Sequence, residues 1–236
     1  MNIKNLKEIK EIFDQKIEKL NPVEFISNDP ISIPHSFSNK EDIEISAFFA
    51  SMLAWGNRKI IIKKTIDLIN RMDNNPYNFI IYASQKELQN LKSFAHRTFN
   101  GNNIIDFINS LKIILLKYKN LENLFTKLYL EFNDLKFVLI EFKKIFSKYF
   151  KDKKSLRHIS SPENKSSSKR LNLFLKWMIR KDNKNIDFGL WKNIPMSKLY
   201  IPLDIHTGNT ARKLGILTRK QNDWIAVEEL TVFLRK

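Results

Sequence analysis

Asp204 is the residue of this sequence best placed to do chemistry, because it stands at a marked helix start within IPMSKLYIPLDIHTGNTARKLGIL, Ile194 to Leu217. Pro195 and Pro202 hold the approach extended, since the residue before a proline is pushed out of helical geometry. Asp204 can then accept from the backbone N–H of Thr207 or Gly208, while Arg212, Lys213 and Gly215 suit the helix end. Two readings follow. The carboxylate is a helix cap and nothing more, or, fixed by that cap, it stabilises positive charge developing on a substrate and orients water. The other familiar sources of catalysis are missing: no Gly-rich nucleotide loop, no GxSxG elbow, no HExxH and no cysteine occur. His35, His96, His158 and His206 are too dispersed to nominate a metal site, and no cofactor or metal is expected. His206 reads as a first-turn residue beside Asp204.

A scaffold must hold Asp204, and its 236 residues, 43% hydrophobic and 12% aromatic, suffice for a substantial core. The spacing predicts helices throughout, hence an all-α, compact multi-helix fold. One helical domain over 1–236 is expected, with 40–150 and 168–236 as lobes of one cleft. Leu6 to Leu20 is amphipathic and should dock on the body. Ser38 with Glu41 reads as a capping box opening a helix that carries Ile45, Phe48, Phe49, Met52 and Leu53. After the Trp55-Gly56 corner, Asn57 starts a helix to about Met72 with Ile60, Ile61, Thr65, Leu68 and Ile69 inward. Short helical pieces occupy Pro76 to Leu91; Phe94 to Phe99, with His96 and Arg97 among aromatics, either touches substrate or, as favoured here, closes a hydrophobic lid; and a turn falls at Phe99-Asn100-Gly101. Helices are predicted over 104–118, 121–132, 135–150, 168–182 and 222–235. Between the last two, 183–193 should close over its helix through Phe188, Leu190 and Trp191.

A formal charge of +16 and pI of about 9.8 favour a polyanionic partner. The excess of Lys over Arg, with abundant Asn and Ile, also fits a genome biased towards A and T. Asn57, Arg58 and Lys59 form one polar corner. The 152–168 stretch reads as a basic, Ser-rich surface loop in which Arg157, His158 and Lys165 could meet phosphates, and a helix starting near Ser168 could offer free N–H groups to an anion. Arg170, His206 and Arg212 complete that candidate set. Trp55 and Trp177 are either core or base-stacking residues. No apolar run approaches the ~18 residues of a membrane span, and Met1 to Leu20 has no signal-peptide core, so a cytoplasmic protein is expected.

Pro-Leu-Asp-Ile-His, followed by Ala211, Arg212 and Leu214-Gly215, resembles the segment around the catalytic aspartate of helix-hairpin-helix DNA glycosylases, with Ile205 where that pattern has Thr. The resemblance implies a helix-hairpin-helix glycosylase-like fold, DNA as partner with RNA as an alternative, a monomer, and excision of a damaged base. Asp204 would stabilise oxocarbenium character on the sugar. Lys169, early on its helix, would be a lyase nucleophile, with Lys176 the alternative. Asn57, Arg58, Trp55 and Trp177 would support base extrusion. The chain departs from the pattern twice: SSPENKSSS replaces the Gly-rich hairpin, and Lys169 lies 35 residues before Asp204, longer than in most such enzymes. A minority subfamily acting on oxidised guanine has an expanded insertion there. Without cysteine, this would be a form lacking the iron–sulfur cluster that some of those glycosylases carry.

LAWGNRK, KRLNLFLKWMIRKD, DFGLW, PLDIHTGN and TRKQNDW also resemble an uncharacterised bacterial family, described only as a conserved domain of unknown function, over roughly Pro30 to Leu234. Similar proteins continue further, so a shortened C-terminus is expected. Two alternatives to excision remain. One is a non-catalytic nucleic-acid-binding protein on the same helical fold; the other is a helical interaction protein whose charge follows codon bias.

Overall fold

The structure, a computed structural model, describes residues 6–236, which are mostly helical. In chain order these are α1 (Leu6–Glu18), α2 (Pro22–Ser27), α3 (Lys40–Leu53), α4 (Arg58–Asn70), α5 (Pro76–Tyr82) and α6 (Gln85–Asn90). A two-residue antiparallel hairpin, β1 (Ala95–His96) and β2 (Phe99–Asn100), leads into α7 (Gly101–Tyr118), α8 (Leu121–Phe132) and α9 (Leu135–Ser147). The chain ends with α10 (Lys169–Ile179), α11 (Ile205–Lys213) and α12 (Trp224–Leu234).

The central element is α3, buried from Asp42 to Leu53. A helix buried all round belongs to the middle of a core, and α3 packs against α10, α4 and α5. Phe48 is its hub, its ring meeting those of Phe49, Phe107, Phe142, Phe146 and Phe174. One apolar cluster runs from Ile9 on α1 to Leu230 on α12.

Such a helix tolerates acids only where they are hydrogen-bonded. Asp42 accepts from Tyr77 N at the start of α5 (2.8 Å), and Glu44 accepts from Leu121 N at the start of α8 (3.0 Å) and from Trp191 Nε1 (2.7 Å). Burial pushes the Glu44 carboxyl up to about 7 against the pull of those two donors. Asp106 on α7 similarly accepts from Lys151 N, Asp152 N and the Ser155 hydroxyl. Buried carboxylates thus receive the unpaired N–H groups of neighbouring segments.

Several sequence expectations need correction. Asn39, not Ser38, caps α3, its side chain accepting from Asp42 N at 2.7 Å. Ile60 is 52% exposed, because the buried face of α4 runs through Ile61, Thr65, Leu68 and Ile69, which at 100° per residue leaves Ile60 off it. Helix α1 is seated through Ile9 and Phe13, while Ile12 and Ile17 face outward. The predicted lid at Phe94 to Phe99 is the hairpin, with Arg97 at φ 55° in its turn. The 152–168 stretch is no free loop: two short 3₁₀ turns, Lys153–His158 and Pro162–Asn164, fold it inward and bury Ser155, His158, Ile159 and Ser161. The insert at 183–193 does close over α10, with Trp191 buried and Phe188 N and Trp191 N donating to Trp177 O and Met178 O.

Candidate active site

Asp204 caps α11, its Oδ1 accepting from Thr207 N at 2.8 Å. The far end of that helix is closed by Gly215, whose φ of 71° suits the left-handed C′ position; Gly215 N donates to Arg212 O and Ile216 N to Ala211 O, a Schellman motif. Arg212 acts inside this unit. Its guanidinium donates to Arg219 O at 2.7 Å and to the Asn222 side chain at 2.6 Å, and Asn222 donates in turn to Asp204 O. Gly208 leaves the room that Asn222 and Arg212 occupy. The expected phosphate contact from Arg212 is therefore spent on holding the backbone of Asp204 in place.

Lys169, the first residue of α10, brings its Nζ to 3.4 Å from Asp204 Oδ2. Both side chains are about a third exposed, at 31% and 33%, so the pair faces solvent without lying free on the surface. Burial works to raise the Asp204 carboxyl, but the Thr207 N–H and the Lys169 charge overcome it and hold Asp204 below the usual carboxylate range. The pair joins residues 35 apart in sequence, and its second carboxylate oxygen is the one not used in capping.

Lys176, the alternative amine, is committed elsewhere. Its Nζ lies 3.0 Å from Asp187, a fully buried carboxylate that also accepts from Arg180. Burial pulls the Lys176 amine below its ordinary value, opposed by Asp187. Trp177 is 2% exposed and packs in the core, so it cannot stack a base from its present position.

Beside Lys169, Arg170 donates from Nη1 to Met52 O at 2.7 Å, at the C-terminal end of α3, and its guanidinium lies 5.8 Å from the centre of Trp55. Burial lowers it to about 10, which leaves it charged at neutral pH. Arg97, from the segment expected to touch substrate or close a lid, covers the same Trp55 ring at 5.1 Å. Gly56, at φ 105°, makes this approach possible, since a Cβ there would collide with the Arg97 guanidinium. Trp55 therefore already carries two of the protein's own arginines. His96 and His158 approach it at 6.0 and 6.4 Å between ring centres.

His158 accepts from Arg157 Nε, and Arg157 also donates to Thr98 O. Burial, reinforced by the Arg170 and Arg157 charges, pushes His158 down to about 4, so it is a neutral core imidazole and not a surface phosphate contact. Asn57 is engaged as the cap of α4, accepting from Lys59 N and Ile60 N, whereas Arg58 and Lys59 are exposed beside it. Lys165 and His206 are exposed as well. Ser168 precedes α10 in a left-handed conformation, φ 47° and ψ 34°, and makes no side-chain cap.

Among the described residues, no group of three or more His, Asp or Glu side chains could hold a metal ion, and no helix is long and apolar enough to cross a membrane. A surface cleft of about 320 Å³ lined by Asn39, Glu41, Asp42, Asn75, Tyr77 and Asn78 lies at the N-terminal end of α3, roughly 20 Å along that helix from the Met52 carbonyl end. It is separate from the Asp204 site. Comparison with curated proteins and with solved structures found no match. A family model does match, over residues 29–236, and the chain belongs to that family, DUF2400, proteins of unknown function.

Proposed function

We propose that this protein binds DNA and excises a damaged base by cleaving its N-glycosidic bond, on a helix-hairpin-helix glycosylase-like fold. The observation that carries the reading is the Lys169–Asp204 pair, 3.4 Å apart and open to solvent. The two residue types which the glycosylase resemblance nominates separately meet at one place, and Arg170, which follows Lys169, lies over Trp55.

Each has a defined task. As the C1′–N bond breaks and the base leaves with the bonding electrons, the sugar gains positive charge. A carboxylate held ionised and fixed by Thr207 N is suited to stabilise that charge. Lys169, once it has given up its proton, can add to C1′; opening of the sugar ring then breaks C1′–O4′, O4′ leaves as a hydroxyl with the proton lost from nitrogen, and C1′ stays on the lysine as a Schiff base. Arg58, Lys59 and Lys165, all exposed, supply backbone affinity.

A second reading is favoured by one observation: the capping bond from Thr207 N accounts for Asp204 without any chemistry. On that reading the protein is a non-catalytic nucleic-acid binder. Labelled duplexes carrying oxidised, deaminated or alkylated bases, treated with alkali or borohydride after incubation, separate the two. Excision by wild type that is lost in Asp204→Asn supports the glycosylase, and a borohydride-trapped adduct lost in Lys169→Gln supports the lyase step. DNA binding without cleavage of any duplex rejects excision and leaves the binder.

A further inference from the structure

We propose that Arg97, Arg157 and Arg170, gathered around Trp55 and His158, form a built site for a phosphate oxyanion. The three come from separate segments: the hairpin turn, the 3₁₀ turn Lys153–His158, and the first turn of α10. Arg97 and Arg170 cover the Trp55 ring at 5.1 and 5.8 Å, and Arg157 reaches the same centre through its hydrogen bond to His158. Among the described residues, none of the three forms an ion pair with a carboxylate. Like charges brought together without a counter-charge are costly, and the usual reason to build such a cluster is an anion that completes it.

The surroundings point the same way. Arg170 and Arg157 are each tied by one guanidinium nitrogen to a backbone carbonyl, Met52 O and Thr98 O, which fixes their planes in advance. Trp55 Nε1 is buried with no hydrogen-bond partner, and so is the Ser168 hydroxyl two residues before Arg170. Unsatisfied polar atoms are rare in folded chains. One belongs to the ring the arginines cover, the other to the start of the helix that carries Arg170. The imidazole of His158, neutral at physiological pH, adds no further charge to repel the guanidinium groups.

The ligand chemistry is the phosphate oxyanion, supplied either as a nucleic-acid backbone phosphodiester or as a free phosphate group. This inference shares with the excision reading an expected polyanionic ligand, but it needs no chemistry at Asp204, so the two fail separately.

The test measures binding of inorganic phosphate and of a short lesion-free DNA oligonucleotide to the full chain, at fixed ionic strength. Arg97→Gln and Arg157→Gln change exposed side chains, so folding should survive, which circular dichroism checks. Lys181→Gln, beyond the other end of α10, removes the same charge away from the cluster. Each arginine variant should weaken binding by about tenfold or more and lower the DNA salt slope by about one, with Lys181→Gln near wild type. Loss for both probes, or for only one of them, supports the site and identifies its source of phosphate. Arginine variants that bind both probes as wild type does, or equal loss in Lys181→Gln, overturn it, as does a wild type that binds neither.

Discussion

Two lysines on α10 each face an aspartate, and the two pairs are built for different ends. Lys176 sits against Asp187 with the carboxylate fully buried and Arg180 sharing it. Asp187 N donates to Asp182, which also caps Lys184 N and Ile186 N, so the pair is wired into the insert that covers the helix. Lys169 and Asp204, two turns away, are each about a third exposed and further apart, at 3.4 Å. The Asp187 carboxylate is enclosed by partners; that of Asp204 has one oxygen on the Thr207 N–H and the other on a lysine that solvent can reach. Burial therefore marks the first pair as a structural clamp and leaves the second free to exchange its partner for a substrate.

The largest effect should come from breaking the clamp. Asp187→Ala leaves Lys176 and Arg180, whose side chains are 27% and 40% exposed, without the buried carboxylate they share; because water reaches both cations, the loss should fall short of a fully buried pair's, at about 2–4 kcal/mol. Urea unfolding should show the midpoint falling steeply. A cost below about 1 kcal/mol would mean that water reaches Asp187 and would erase the contrast.

Asp204→Asn should act on rate and not on folding. Asparagine caps about as well as aspartate, so stability should stay within ~0.5 kcal/mol of wild type. If the protein excises bases as proposed, that rate should fall by about 10²- to 10³-fold, the usual cost of losing a pre-placed charge at the transition state. Single-turnover kinetics beside a urea melt read both at once. Equal losses in the two would make Asp204 a structural residue like Asp187.

The third effect tests the charge on the site side of α10. His158 has its folded value depressed to about 4, against an ordinary 6.5, so between those values the unfolded chain takes up a proton that the folded chain refuses. Stability should therefore fall as pH drops from about 6.5 to 4, by about 2–3 kcal/mol. Glu44, raised from 4.5 to about 7, gives the opposite slope, since its contribution is present below 4.5 and lost as pH rises through 7. Comparing His158→Gln with wild type cancels the Glu44 part. The variant should lose less stability on acidification, and unchanged pH profiles would place His158 in contact with water.

Periodicity served well wherever a helix has one wet face. The boundaries of α8 coincide with the expected 121–132, and the cap and stop of α11 are those read from Asp204 and Gly215. It failed where tertiary contact overrides local pattern. The strands at Ala95–His96 and Phe99–Asn100 are two residues each, too short to show alternation. The polar composition of 152–168 hides Ser155 and His158, which are buried because Asp106 and Arg157 satisfy them. Asp187 and Glu44 were missed as well, since nothing local distinguishes a buried acid from a solvated one. Arg97 had a signal in the interleaved FAHRTF, but its placement depends on the Trp55-Gly56 corner, far off in sequence. The meeting of Lys169 with Asp204 was reachable only through resemblance, because no spacing rule links residues 35 apart.

The smallest expected effect is also the sharpest test of the contrast. Lys169→Gln removes an amine that is 31% exposed from a pair whose carboxylate stays capped by Thr207 N and can be hydrated, so the stability loss should not exceed ~1 kcal/mol. A double-mutant cycle with Asp204→Asn should give a coupling of similar size, well below that expected from the same cycle on Lys176 and Asp187. If the two coupling energies prove equal, exposure does not distinguish the pairs and the site loses its physical basis. If the Lys169–Asp204 coupling is small while Lys169→Gln abolishes borohydride trapping and leaves base release intact, the amine is a nucleophile held loosely enough to leave its carboxylate, and the two residues carry separable steps.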